Sequence, residues 1–328
     1  ANVGGIVLLA VKSGAGSAYK NMCAERFEEE ARKTGKPFRI VYLTDVGGSY
    51  NMLGETLRLT REVLLEVSDF RRENCPLSAL TLGVKCGTSD ATSGIAGNPC
   101  VGAAFDQLIR AGGTAFFSET TEIIGAEDLV AKRAVNETVA KKILSAAKHW
   151  EDKATGEDIR KITPIPANIA AGISSLEEKS LGAIAKSGTS PIQDVLKYAE
   201  MPKGSGLYFV DSWMSSLSLP LCLTACGATI MLYQMGGGKI AQHPMMPSIN
   251  PTVVSPFLYL TGNAIAYSRA PDNFDFDASP IMTEGASIPE MGTKLLEHLS
   301  AIASGTMTKM ETLNYAEQLE LYMEGPVL

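Results

Sequence analysis

The sequence predicts an α/β protein whose larger part is a mostly parallel sheet with helices on both faces, preceded by part of a smaller α/β domain. Three observations carry this. The apolar stretches at 4–11, 80–84, 114–117, 206–210 and 229–233 are short and continuous instead of alternating, as strands covered on both faces require. Longer segments separate them, several with helical periodicity, which suits parallel strands joined by crossover helices. The chain also opens as strand, glycine turn, helix and strand, the order of a βαβ unit.

Taken in order, residues 4–11 predict a strand running into Lys12-Ser13-Gly14-Ala15-Gly16, residues 19–34 a charged helix, and 38–43 a second strand. A long helix over about 54–72 leads to Glu73-Asn74-Cys75-Pro76, where Pro76 marks a junction. Residues 1–75 therefore read as a partial α/β domain, with dimerisation as one expected role, and 76–328 as a Rossmann-like domain. In the latter, strands are expected at 80–84, 114–117, 206–210, 229–233 and 247–250. A helix is expected at 101–110, and amphipathic helices at 289–304 and 310–323. Residues 153–167, polar and broken by Pro164 and Pro166, predict a loop that delivers Asn168, and a helix carrying Glu177-Glu178-Lys179 is expected after Gly172.

A chain of 328 residues, 45% hydrophobic and 20% charged, can bury a large core. Its net charge of −7 argues against nucleic acid or an anionic membrane as partner, and its apolar runs, such as 217–225, are too short to span a bilayer. Six cysteines without Cys-x-x-Cys spacing argue against a zinc ribbon or a disulfide scaffold and imply a reducing compartment, the cytoplasm. Cys222 and Cys226 read as small buried hydrophobes. His149 and His298 read as structural, while His243 follows a glycine-rich loop and stays open as a site residue.

The densest chemistry is Lys85-Cys86-Gly87-Thr88-Ser89-Asp90-Ala91-Thr92-Ser93-Gly94, with Gly97-Asn98-Pro99 just beyond. It crosses a strand-to-helix junction, where backbone N–H groups and a helix N-terminus can face an anion. Further on stand Arg110-Ala111-Gly112-Gly113, Ser118-Glu119 with Glu122, Gly125-Ala126-Glu127, Asn168-Ile169-Ala170-Ala171-Gly172 and Glu178-Lys179-Ser180-Leu181-Gly182. In this order, over about residues 70–215, these motifs resemble the altronate/galactarate dehydratase family of bacterial lyases, which eliminate water from sugar acids.

The resemblance implies a hydro-lyase acting on a hydroxy acid to give a 2-keto-3-deoxy acid, with a divalent metal, ferrous iron ahead of manganese. Such an elimination needs a base for a weakly acidic proton beside a carboxylate, an acid for the leaving group, and a Lewis acid for the enediolate. Cys86 and Glu119, at the ends of neighbouring predicted strands, are the candidate metal ligands, and thiolate suits iron better than magnesium. Lys179, as base or carboxylate clamp, Glu178 and Asp90 are the catalytic candidates; Asp90 is equally a ligand or a helix cap. Lys85, Ser89, Ser93, Asn98 and Asn168 are the expected substrate-binding residues, with Asn168 orienting the carboxylate.

The chain departs from the dehydratases in one loop. They show Thr-Gly-Arg-Gly and then Pro-x-Ile-Lys, whereas this chain has Met235-Gly236-Gly237-Gly238 and Pro247-Ser248-Ile249-Asn250. Two cations are gone, which disfavours a long diacid such as galactarate unless Lys239 compensates. The stretches 206–212 and 168–170 look closer to the large subunit of sulfolactate sulfo-lyase, so sulfite is the alternative leaving group. A third reading is a nicotinamide-dependent oxidoreductase using Gly14-Ala15-Gly16, or a catalytically silent homologue. Relatives carry a preceding Gly-Arg-x-Gly-x-Arg-Asn segment, and some a small N-terminal domain. This chain is expected to be clipped or to work with a separate small domain or subunit, as a homodimer.

Overall fold

The computed structural model describes residues 2–12, 22–153, 158–237, 250–252, 254–314 and 320. It divides into two units, Ala1–Asn74 and Cys75–Leu328.

The first unit contains β1 (Ile6–Ala10), α1 (Met22–Thr34), β2 (Phe38–Tyr42), a one-turn α2 (Leu43–Val46) and α3 (Ser49–Ser68). β1 and β2 pair in parallel from Ile6↔Phe38 to Ala10↔Tyr42, as the βαβ pattern expects. A Cβ on Gly5 would overlap the Val63 side chain, so glycine there lets α3 lie against β1. The helix begins at Ser49 instead of 54, because Gly47 in the left-handed region ends α2 and the chain re-enters helix at once.

The second unit carries seven strands: β3 (Thr81–Gly87), β4 (Thr114–Phe117), β5 (Ile192–Leu196), β6 (Gly206–Val210), β7 (Ile230–Met235), β8 (Phe257–Thr261) and β9 (Phe276–Asp277). Every pairing is parallel, in the order β5-β6-β4-β3-β7-β8-β9. Leaving out β5 and counting from β3, this is the 3-2-1-4-5-6 order of a doubly wound sheet, with its reversal between β3 and β7. The helices are α4 (Asn98–Arg110), α5 (Glu127–Ala131), α6 (Glu137–Lys153), α7 (Pro166–Ala170), α8 (Leu176–Ile184), α9 (Ser218–Ala225), α10 (Ala264–Arg269), α11 (Pro280–Thr283), α12 (Ile288–Ala303) and α13 (Lys309–Leu313).

Two apolar cores cover the sheet. Leu82, Val84, Leu232 and Leu258 pack with Phe105 of α4, Ile143 of α6 and Leu295 of α12 on one face. Phe116, Tyr208, Met231 and Phe257 pack with Leu219 and Leu223 of α9 and Met310 of α13 on the other. Each fully buried side chain of this size contributes about 1.5–3 kcal/mol, more than intrinsic strand or helix propensity supplies, so burial sets the architecture.

Several expectations change. β5 and β8 were not legible as strands, and β7 runs on to Met235. The region 153–167 is less loop-like than expected, since a 3-10 turn spans Ile159–Lys161 and α7 starts at Pro166, a residue suited to a first helical turn. The last expected helix stops at Leu313, because Asn314 turns left-handed at φ 50°. The strand expected at 247–250 lies outside the described residues but for Asn250, which is in no strand. Among the described residues no helix is long and apolar enough to cross a membrane.

Candidate active site

β3 ends in Lys85-Cys86-Gly87, and Thr88, held at φ 44°, turns the chain into a helix that starts at Ala91. That helix widens into a π-turn over Ser93–Gly97 and continues as α4. Such turns recur at functional sites. The anion niche expected at its N-terminus is filled from within. One oxygen of Asp90 accepts from the Ser93 N–H at 3.0 Å and from the Thr92 hydroxyl at 2.6 Å. The other accepts from the Gly237 N–H at 2.6 Å and from Asn263 Nδ2 at 2.8 Å. Asp90 is thus the helix cap and a tie to the chain after β7 and β8.

Beside this turn lies a buried ionic cluster. Glu119 follows β4 by two residues in the left-handed region, φ 72° and ψ 64°, a conformation that costs a non-glycine residue about 1–3 kcal/mol. The surroundings hold it there: the Thr120 N–H donates to Ser212 O at 3.1 Å and the Ser118 hydroxyl to Val210 O at 2.6 Å. The carboxylate consequently turns back on β3, accepting from the Cys86 N–H at 3.0 Å and from Lys85 Nζ at 3.1 Å. Glu122, one short turn later, lies 2.9 Å from Cys86 Sγ. Lys186 closes the group, with Nζ 3.0 Å from Cys86 Sγ, 3.3 Å from Glu122 Oε2 and in direct contact with Glu119 Oε2. Lys179 Nζ stands 3.5 Å from the other oxygen of Glu122 and 3.0 Å from the Thr163 hydroxyl. All six groups are buried, none more than 9% exposed.

Burial alone would favour neutral forms, yet the charges settle one another. It raises the Glu122 carboxyl, but Lys186, Lys179 and Lys85 overcome this and hold it at about 2. It opposes the Lys186 ammonium, and Cys86, Glu119 and Glu122 outweigh it, so that lysine stays charged. Lys85 is likewise kept charged against burial, chiefly by Glu119. The Cys86 thiol is pushed well up, first by burial and then by Glu119 and Glu122.

The Sγ of Cys86 and carboxylate oxygens of Glu119 and Glu122 lie within 4.8 Å of one another, so this buried group could hold a metal ion. The donor chemistry fits a divalent transition ion, a thiolate with two carboxylates, and the three donors already converge on one cation, the Lys186 ammonium.

A cavity of about 290 Å3 adjoins the cluster, lined among others by Ser89, Ser93, Asn98, Glu178 and Lys179. Lys179 belongs to both. Asn98 donates from Nδ2 to Gly182 O at 2.8 Å, and its Oδ1 has no partner among the described residues. Two further expected site residues have partners within the protein. Asn168 uses its amide to tie Ser89 O, at 2.9 Å, to the Ile165 N–H, at 3.2 Å, and so fixes the loop. Glu178 is exposed at the start of α8, its carboxylate on the backbone and hydroxyl of Ser174, apart from the ionic cluster. Ser93 is bound to Asp90 on both sides, accepting from its N–H and donating to its carboxylate.

Sequence reasoning missed Lys186 and gave Glu122 no role. A signal for the lysine existed: Lys186-Ser187-Gly188-Thr189-Ser190 echoes Lys85-Cys86-Gly87-Thr88-Ser89. Asp106 of α4 clamps this loop through Thr189 and Ser190, and Arg133 binds Ser187, which fixes Lys186 at its base. Cys222 and Cys226 are buried in the core as expected. His149 and His298 stack near Trp150 and Phe276, away from the cluster. His243, Lys239 and the Gly14-Ala15-Gly16 turn lie outside the described residues.

A doubly wound α/β core with dry, opposed charges at the carboxyl ends of its central strands has the build of an enzyme. Residues 77–326 match the family model described as D-galactarate/altronate dehydratase, C-terminal, and the chain belongs to that family. It is 31% identical over 320 residues to (2R)-sulfolactate sulfo-lyase subunit beta of Chromohalobacter salexigens, covering 96% of this chain and 78% of that one. It is 33% identical over 282 residues to galactarate dehydratase (L-threo-forming) of Escherichia coli K12, covering 85% and 52%. It is 33% identical over 271 residues to altronate dehydratase of Bacillus subtilis, covering 82% and 52%. These relatives are all lyases. The chain spans about half the length of the dehydratases it matches.

Proposed function

We propose that this protein is a lyase that removes the α-proton of a 2-hydroxy acid and expels water from the neighbouring carbon, leaving an enol that becomes a 2-keto-3-deoxy acid. One observation carries the reading: Lys179 lines the cavity and at the same time reaches Glu122 of the buried ionic cluster. A substrate in that cavity meets a positioned lysine, and the cluster behind it excludes water and fixes the lysine's orientation. In this reading Lys179, entering the step as the neutral amine, takes the proton and hands it on to the departing hydroxyl so that water leaves; Ser89 and Asn98 contact the substrate, and Asp90 keeps the wall in place. Lys85 and Lys186 aim Glu119, and with Lys179 they keep Glu122 ionised. Cys86, Glu119 and Glu122 would hold a divalent metal, ferrous iron first and manganese second. Such an ion supplies Lewis-acid stabilisation of the enediolate.

Sulfite as the leaving group is the second reading, favoured by the near full-length match to the sulfo-lyase subunit. That relative's designation as a subunit also supports assembly with a different chain. Among the described residues five cysteines are free, which agrees with a cytoplasmic setting. Gly237 and Asn250 offer no cation, the former donating its N–H to Asp90 and the latter accepting from Thr252, so a short or monocarboxylic acid should be preferred to galactarate. The test is an anaerobic assay with ferrous iron on galactarate, altronate and sulfolactate, reading keto acid and sulfite together. Keto acid without sulfite, fastest from altronate, is expected; keto acid with sulfite from sulfolactate alone would transfer the reading to the sulfo-lyase.

A further inference from the structure

Two side-chain amides are buried without full pairing among the described residues, and both lie at the end of the π-turn. Asn98 Oδ1 has no partner, and neither end of the Gln234 amide has one. Asn98 is 1% exposed and Gln234 is wholly buried. Buried amides in native cores are paired, and leaving one unpaired costs more than an apolar side chain of similar volume would. Gln234 stands on β7 as the register partner of Cys86, at the reversal point of the sheet, and partners in parallel strands share a face. A Cβ on Gly97 would overlap Gln234 Nε2, so the glycine before Asn98 is what makes room for the second amide. The same turn has Ser93, Gly94 and Asn98 on the cavity wall, whereas Gln234 is not part of the lining and stands against Gly97 behind it.

The Asn98 amide is fixed in orientation, because the Gly182 carbonyl can only accept and so takes Nδ2. What remains open is a set of uncharged groups, two oxygen acceptors and one NH2 donor. This set matches hydroxyl groups, which both donate and accept, and offers nothing to a sulfonate or carboxylate beyond one neutral donor. We propose that Asn98 and Gln234 are specificity-determining residues that read hydroxyls on the substrate chain, selecting a polyhydroxy acid over one with a second anionic group. The proposal rests on the cavity and cluster being the active site.

The test uses the full chain with ferrous iron and compares wild type, Gln234→Met and Asn98→Leu by melting temperature and by kcat and KM on altronate and sulfolactate. Gln234→Met should melt level with wild type or about 2–4 °C higher, because two unpaired polar atoms are removed. Its KM for altronate should rise about tenfold to a hundredfold, while that for sulfolactate moves by less than about threefold. Asn98→Leu also loses the bond to Gly182 and is read only on the ratio of the two KM values, which should move the same way. A lower melting temperature for Gln234→Met would mean that a fixed internal water holds the amide, and would overturn the proposal. Equal losses on both acids, or an unchanged KM for altronate, would overturn it too. If wild type turned over neither acid, the lyase reading itself would fail. The pair would then stand only if altronate raised the melting temperature of wild type more than that of Gln234→Met, and would fall otherwise.

Discussion

Both units of the chain carry exposed ion pairs, but among the described residues only the second also buries charge against charge. In Ala1–Asn74 the described ion pairs, such as Lys33 with Glu29 and Arg39 with Glu66, keep each side chain at least a third exposed. In Cys75–Leu328, Lys85, Lys179 and Lys186 meet Glu119 and Glu122 with at most 8% of any of these side chains exposed. Water screens the first set, so these pairs add little to stability. The second set carries a desolvation penalty of several kcal/mol per ion, which its mutual attraction must offset. A well-packed apolar core would be at least as stable there. Ionisable groups kept dry at such a cost support the proposal that the chemistry is there.

That contrast can be broken by experiment. The largest effect is expected for Lys186→Met, which strips Cys86, Glu119 and Glu122 of their shared cation. Chemical denaturation should register a loss of about 3–5 kcal/mol, the range for removing one member of a buried pair. A loss no greater than that of a surface variant would erase the distinction between the units. Next, Cys86→Ala should keep the fold but lose bound iron, and iron uptake by wild type should release a proton as the thiol ionises. Unchanged iron stoichiometry in the variant would remove Cys86 from the ligand set.

The third effect is a pH dependence. Glu122 is held at about 2 against an ordinary 4.5, so the folded state binds fewer protons than the unfolded one across that interval. Its contribution is fully present above about pH 4.5 and is lost as the pH falls towards 2. Glu122→Gln should flatten that part of the acid-unfolding profile; an unaltered slope would mean the carboxylate is not held by the lysines. The smallest effect is expected for Arg39→Ala, which should change stability by less than about 1 kcal/mol.

Much of this molecule is legible in its sequence, for reasons that differ by element. β4 and β6 fall where continuous apolar residues place them, because strands buried on both faces need no alternation. β5 is hidden because Gln193 and Asp194 interrupt its pattern at a register shift against β6. Within the site, Cys86 and Glu119 are legible because each ends a predicted strand. Lys186 is not, because it comes from a 3-10 turn after α8 and reaches Cys86 across 100 residues. Gln234 is hidden for a third reason: inside an apolar strand one polar residue looks incidental until its unpaired amide is seen.

The central claim is that the buried cluster serves proton removal through Lys179, the member that opens on the cavity. The direct measurement is exchange of the substrate's α-hydrogen with deuterated solvent, on altronate, in iron-loaded wild type and Lys179→Met. Wild type should exchange or eliminate, whereas Lys179→Met should do neither while retaining its iron and its melting transition, since proton abstraction accompanies or precedes departure of the leaving group. Exchange by Lys179→Met at the wild-type rate would contradict the account and move the base elsewhere in the cavity.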